Sequence, residues 1–287
     1  MTTFLFIVLG AVALWVLPYY WRLLRRRQLR GRPLNRDQER FLGQSLRIYK
    51  SLPLTMQAQL RGEMSLFLQQ KEFVGCDGLE VSEYMRIAVA AHACLLLLGR
   101  DTRCYPDLYT VLLYPDTYVA REIHRQNYVE TTRHSVREGE SHYRGPVVIS
   151  WRDLEQDLAH PELGHNVALH EFAHKLDEED GYYDGRPVFE SSGEGRDWAE
   201  VFGAEFRHLR QQRDSEGSQN TGPRVLDLYG AESPAEFFAV ATEAFFVIPA
   251  ALSSHHSALY RELRNFYRID PAVLYDTNSP AQPKIEK

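Results

Sequence analysis

His170-Glu171-Phe172-Ala173-His174 forms an H-E-x-x-H pattern inside a stretch with helical periodicity. Two histidines four residues apart stand on one face of a helix, one turn from each other. From that face both imidazoles can reach a single Zn²⁺, with the glutamate between them placed as general base toward a zinc-activated water. The pattern is short. With 11 histidines in 287 residues, a shuffled chain would show it in roughly a few per cent of cases. The plain alternative is a surface helix with two solvated histidines. The flanking residues weigh against it. Val167, Leu169, Phe172, Ala173 and Leu176 place apolar side chains at mixed three- and four-residue spacing, which predicts a helix largely buried in a core. Asn166 stands where an N-cap is needed. Ionisable groups on such a helix are expensive unless paired or metal-bound, which favours the metal reading.

A catalytic zinc usually takes three protein ligands and keeps a fourth position for water. The best downstream source of the third is Ser233-Pro-Ala-Glu236-Phe-Phe-Ala-Val-Ala-Thr-Glu243. Ser233 reads as an N-cap, Pro234 as the first helical residue and Glu236 as the third. Ser-x-x-Glu is also a capping box, which gives Glu236 a purely structural alternative. Glu243 lies seven residues on and shares roughly the same face, as an alternative ligand or a partner behind one. Glu232, in the preceding turn, is a weaker candidate. Asp177, three residues past His174, would either accept a hydrogen bond from a ligand histidine or be a solvated carboxylate at the helix end.

The chain resembles the Mlc titration factor A family of zinc metallopeptidases. The matching stretches are Thr110-Val-Leu-Leu-Tyr-Pro-Asp116, Gly145-Pro-Val-Val-Ile-Ser-Trp151, His170-Glu-Phe-Ala-His-Lys-Leu-Asp177 and Ser233-Pro-Ala-Glu-Phe-Phe-Ala-Val240. The similarity runs from about Leu34 to about Thr277, and the combination is far more specific than H-E-x-x-H alone. The resemblance implies His170, His174 and Glu236 as zinc ligands and Glu171 as base. It implies Tyr229, seven residues before the third ligand, as a transition-state contact, as in the similar anthrax lethal factor catalytic domain. From the residues alone, Tyr229 is more simply an ordinary amphipathic tyrosine, one of 16.

A second signal lies at the N-terminus. Phe4 to Trp21 carries no charge in 18 residues, and Arg22, Arg25, Arg26, Arg27, Arg30 and Arg32 follow at once. At about 1.5 Å per residue the run is near the lower limit for crossing a bilayer. Trp15, Tyr19, Tyr20 and Trp21 suit an interfacial aromatic belt. A cleavable signal would put its positive charge before the apolar run, not after it. The positive-inside rule then leaves everything after Arg22 in the cytoplasm, anchored in the inner membrane by one span. Pro18 is tolerable in such a helix. A buried core helix with a basic flank is the alternative.

The elements that must position the site are mostly helical. Residues 34–72 read as helix broken by Pro53, 82–99 as a buried helix ending near Gly99, 197–213 and 235–248 as further helices, and Leu259 to Tyr267 as a last one. Tyr109 to Tyr114 and Pro146 to Trp151 are β-rich runs expected in one sheet. Residues 134–145, 178–196 and 211–224 read as irregular, and the tail after Asp276 as disordered. The expected fold class is α+β, mostly helical: a zincin-like metallopeptidase domain over 34–276 with a small sheet, preceded by a transmembrane helix (1–21) and a basic juxtamembrane linker (22–33), and followed by a tail (277–287).

A net charge of −6 argues against a general nucleic-acid surface, and the arginine run suits anionic lipid better. Cys76, Cys94 and Cys104 form no C-x-x-C pair, as fits a reducing compartment. The functional expectation is a membrane-anchored zinc peptidase acting on peptide or protein substrates, with one Zn²⁺ per chain. The resemblance adds aminopeptidase-type cleavage and a regulatory partner, a transcriptional repressor. The competing expectation is a non-catalytic zinc protein that sequesters a regulator at the membrane. A closed structural site would need a fourth protein ligand, and a purely structural site has no use for Glu171.

Overall fold

The computed structural model describes Leu17, Tyr20, Trp21 and residues 24–100, 104–116, 145–189, 191–216 and 224–276. Helices α1 (Arg36–Ser45) and α2 (Leu54–Gln70) are separated by a 3-10 turn (Arg47–Ser51) and Pro53; the break at Pro53 is the one the sequence predicts, while α1 ends earlier than expected. Strand β1 (Glu72–Gly75) follows, then α3 (Glu83–Leu95), β2 (Thr110–Tyr114), β3 (Val147–Ser150) and α4 (Trp151–Ala159). The metal-motif helix α5 (Val167–Asp177) leads to α6 (Ser192–Glu216), α7 (Pro234–Val247), α8 (Pro249–His255), α9 (Ser257–Tyr267) and α10 (Pro271–Asp276). The fold is therefore α+β and mostly helical.

The three strands form one parallel sheet in the order β1-β2-β3, with Val111 beside Phe73 on one side and Val147 on the other. Several elements depart from the sequence reading. Strand β1 is four residues long, too short to show a period of two. Trp151, read as the end of a strand, opens α4, because Ser150 Oγ accepts the Asp153 N–H at 3.2 Å and caps a new helix. Helix α6 also runs on to Glu216, past the expected loop start at 211. Lys71 fastens β1 to the turn before β2: its buried Nζ donates to the carbonyls of Tyr105 and Leu108 at 2.5 and 2.7 Å.

α5 and α7 pack directly on each other in the centre of the core. Helix α7 is buried from Ala235 to Phe246, the mark of a helix with no solvent face. Phe237 and Phe238 meet Trp198 and Phe202 of α6 and Phe266 of α9 in one aromatic cluster. Phe172 of α5 packs on Phe67 and Tyr105. The two helices that carry the candidate ligands are thus both seated in the core.

Residues 24–30 are helical; Leu29 is buried and Arg30 pairs with Glu63 of α2 at 2.8 Å. The apolar run at 4–21 lies outside the described residues apart from Leu17, Tyr20 and Trp21, as do the tail and most of 134–145. Among the described residues no single helix is long and apolar enough to cross a membrane; α7 and α8 pass that test only together, bent by 117°, and α7 is buried core.

Candidate metal centre

α5 begins where three acceptors gather. Asn166 Oδ1 accepts the Leu169 N–H at 2.9 Å, and Asp157 Oδ2 of α4 accepts the Val167 N–H at 2.8 Å. Glu243 Oε2 of α7 accepts the Asn166 N–H at 2.6 Å. The helix start is fixed from three sides, and one turn later His170 faces α7.

There the donor atoms converge. His170 Nε2 lies 3.0 Å from Glu236 Oε2 and 3.1 Å from His174 Nε2, and the third edge, His174 Nε2 to Glu236 Oε2, is 3.5 Å. Among the described residues this is the only group of three or more His, Cys, Asp or Glu able to hold a metal ion. Ser233 Oγ accepts the Glu236 N–H at 3.2 Å, so the cap forms, but the Glu236 carboxylate turns to the histidines. Its seat in the first turn of α7 also favours an anion.

Glu243 is not in the ligand triangle. Its Oε1 lies 2.7 Å from His170 Nδ1, the arrangement of a carboxylate behind a metal-binding histidine. Glu232 stands outside the group. Asp177 is neither of the things the sequence suggested. It is fully buried, and its Oδ2 accepts the Gly185 N–H at 2.9 Å rather than a histidine proton. Burial pushes its carboxyl up to about 7. The atom facing His174 Nδ1 is Tyr183 Oη, at 2.9 Å. Tyr229 sits on the 3-10 turn Leu228–Ala231, its ring 6.0 Å from that of His170 and 43 % exposed, at the rim of the site.

The charges follow the geometry. Burial raises the Glu171 carboxyl to about 7. Burial alone would lower His170, yet hydrogen bonds to Glu236 and Glu243 outweigh it and raise the imidazole well above its ordinary value. Burial would raise Glu236, yet the two histidines hold it well below the carboxylate range. His174 is lowered, chiefly by burial. Two imidazole nitrogens and a carboxylate oxygen converging in a buried place form a donor set suited to a cation.

The model of the glucose-regulated metallo-peptidase M90 family matches residues 21–268. The chain belongs to that family. Among its relatives is the "Uncharacterized protein slr2042" of Synechocystis sp. (strain ATCC 27184 / PCC 6803 / Kazusa), 38 % identical over 270 residues, 93 % of this chain and 96 % of the relative. The Mlc titration factor A of Klebsiella pneumoniae subsp. pneumoniae is 30 % identical over 229 residues, 77 % of this chain and 82 % of its own. That of Enterobacter sp. (strain 638) is 28 % identical over 232 residues, covering 78 % and 83 %. M90 membership makes the His-His-Glu group the natural seat of the metal of a metallopeptidase.

Asp157 and Tyr183 escaped the sequence reading. Asp157 is thirteen residues before the motif in another helix, and Tyr183 lies in a glycine-rich stretch. Neither carries a local signal; a parallel sheet and a packed helix pair bring them in. Asp157 also makes a testable handle. Burial pushes its carboxyl from 3.8 up to about 6, aided by Glu243 and opposed by the Val167 N–H and His165. The folded protein then holds the proton more tightly than the unfolded chain, so this group's contribution falls as pH rises through that window, and the cost persists above it. Asp157→Asn keeps an acceptor for Val167 and removes the charge. The stability difference between variant and wild type is expected to move in the variant's favour between pH about 4 and about 6 and to level off above, as read by urea unfolding. Parallel pH curves for the two proteins would refute this account of Asp157.

Proposed function

We propose that this chain is a zinc-dependent peptidase of zincin type, held at the cytoplasmic face of the inner membrane by its N-terminal apolar run. The observation that carries the zinc centre is the triangle of His170 Nε2, His174 Nε2 and Glu236 Oε2, with edges of 3.0, 3.1 and 3.5 Å. Tetrahedral ligands about 2.0–2.1 Å from one zinc stand roughly 3.3 Å apart, so the donor set fits in both spacing and chemistry. His170, His174 and Glu236 would hold the zinc, which would supply a Lewis acid and a water acidified toward neutral pH. Glu171, between the two histidines and with its carboxyl raised to about 7, would serve as the general base toward water and then as the acid toward the leaving amine. Tyr229 would donate a hydrogen bond from its phenol to the oxyanion that develops at the scissile carbonyl.

Three further parts belong to this reading. The cut is of aminopeptidase type. The regulatory partner is a transcriptional repressor, a reading supported by relatives named Mlc titration factor A. The anchor is supported by the side chains of Leu17, Tyr20, Trp21 and Leu24, all more than half exposed just where the arginine run begins. The word "titration" in the relatives' name favours a second reading, sequestration of a regulator without cleavage.

Metal removal separates the two. Full-length protein in detergent is expected to cleave members of a broad peptide library, to lose that activity on chelation, and to regain it with one equivalent of Zn²⁺. Cleavage that survives complete removal of metal would end the zinc reading. Zinc-loaded protein that cleaves nothing in the library would put sequestration ahead.

A further inference from the structure

We propose that Tyr183 is a positioning residue of the metal centre: its phenol oxygen fixes the ring and tautomer of His174, as Glu243 does for His170, and ties the 181–189 strap to the ligands. The inference rests on the metal reading of His170, His174 and Glu236.

A histidine that offers Nε2 to a metal carries its proton on Nδ1, and that proton needs an acceptor. For His170 the acceptor is Glu243 Oε1 at 2.7 Å. For His174 it is Tyr183 Oη at 2.9 Å. The His174 side chain is only 3 % exposed, so water is a poor substitute. The Tyr183 ring also lies 5.0 Å from the imidazole at 46°, so ring and hydroxyl both restrict it.

The choice of a phenol has a physical reason. Glu171, Glu236 and Glu243 already bring three carboxyl groups to this site. A fourth carboxylate behind His174 would add like-charge repulsion in a buried place. A neutral oxygen takes the proton without it.

The strap is built to hold that oxygen still. Asp180 Oδ1 accepts the Tyr182 N–H at 3.0 Å, and Asp184 Oδ1 accepts the Arg186 N–H at 3.1 Å, so a turn closes on each side of Tyr183. Two residues on, Gly185 is gripped at both ends: its N–H donates to Asp177 Oδ2 at 2.9 Å, and its carbonyl accepts Trp198 Nε1–H at 3.1 Å. A ligand orienter on so firmly held a segment keeps its geometry.

The test is metal affinity of the full-length protein, read by competition of Zn²⁺ with a chromophoric chelator and by the visible spectrum of the Co²⁺ form. Tyr183→Phe is expected to weaken Zn²⁺ about 10- to 100-fold and to shift the Co²⁺ bands, with the metal-free protein still folded though somewhat lower in melting temperature. Tyr182→Phe, the exposed neighbour on the same strap, is expected to change neither. Equal Zn²⁺ affinity in Tyr183→Phe and wild type overturns the inference. So does an equal loss in Tyr182→Phe, which would assign the effect to the strap and not to the hydroxyl. Wild type that binds neither ion overturns the metal reading itself, and this inference with it.

Discussion

Glu171→Gln is expected to lower peptide hydrolysis by about 10²- to 10⁴-fold while the zinc content stays at that of wild type. The two effects separate because Glu171 is outside the donor triangle, whose atoms belong to His170, His174 and Glu236. Glutamine keeps the size of the side chain and its place on α5 between the ligands, but it cannot take a proton near neutral pH. It also removes a carboxyl that burial already strains, so the fold should not suffer. The measurement pairs initial rates on a cleaved peptide with metal analysis of the same sample. If the variant keeps more than about a tenth of the wild-type rate with zinc bound, Glu171 is not the base. Zinc loss together with rate loss would instead move Glu171 into the group that builds the site.

Gly185→Ala is expected to unfold the metal site from a distance. Gly185 has φ +74, and a Cβ there would lie 2.2 Å from Pro234 O and 2.6 Å from its carbonyl carbon. Those are backbone atoms at the first residue of α7, two positions before Glu236, so the clash is relieved only by moving the turn that aims the third ligand. Left-handed backbone costs an alanine about 1–3 kcal/mol and overpacking about 1–3 more, roughly 2–6 kcal/mol together. Gly181 is the internal control. It has φ +88 but nothing within 4 Å of its Cβ position, so Gly181→Ala bears the backbone term alone. Denaturant unfolding and zinc stoichiometry of both variants decide the matter: Gly185→Ala no less stable and no poorer in zinc than Gly181→Ala would mean the strap does not hold α7.

The parts of this site legible in the sequence are those written locally. The α5 motif has its period, its cap Asn166 and its fixed spacing within one helix. Ser233-Pro234 announces the start of α7 in the same way. The choice between Glu236 and Glu243 was not local, because both lie on one face of α7 and only the docking of α7 on α5 decides which oxygen meets Nε2 and which meets Nδ1. Asp177 misled for the complementary reason. Its spacing from His174 suits a helical neighbour, yet the strap returns beneath it and takes its carboxylate. Tyr183, Gly185 and Asp157 depend on that return and on α4, which the run Pro146 to Trp151 concealed behind a strand-like composition. The N-terminal signal is compositional, and all of the run at 4–21 but Leu17, Tyr20 and Trp21 lies outside the described residues.

The depth of α7 has a consequence for how the protein acquires its ion. Donor atoms seated on two core helices are held together by phenylalanine packing, so the scaffold does not wait for metal to assemble it, as small metal-dependent domains do. Loading then becomes a titration of a ready receptor. On the zinc reading, an empty population would persist in folded form and be switched on by supply alone, so that the amount of working enzyme would follow the availability of the ion as well as the amount of protein made.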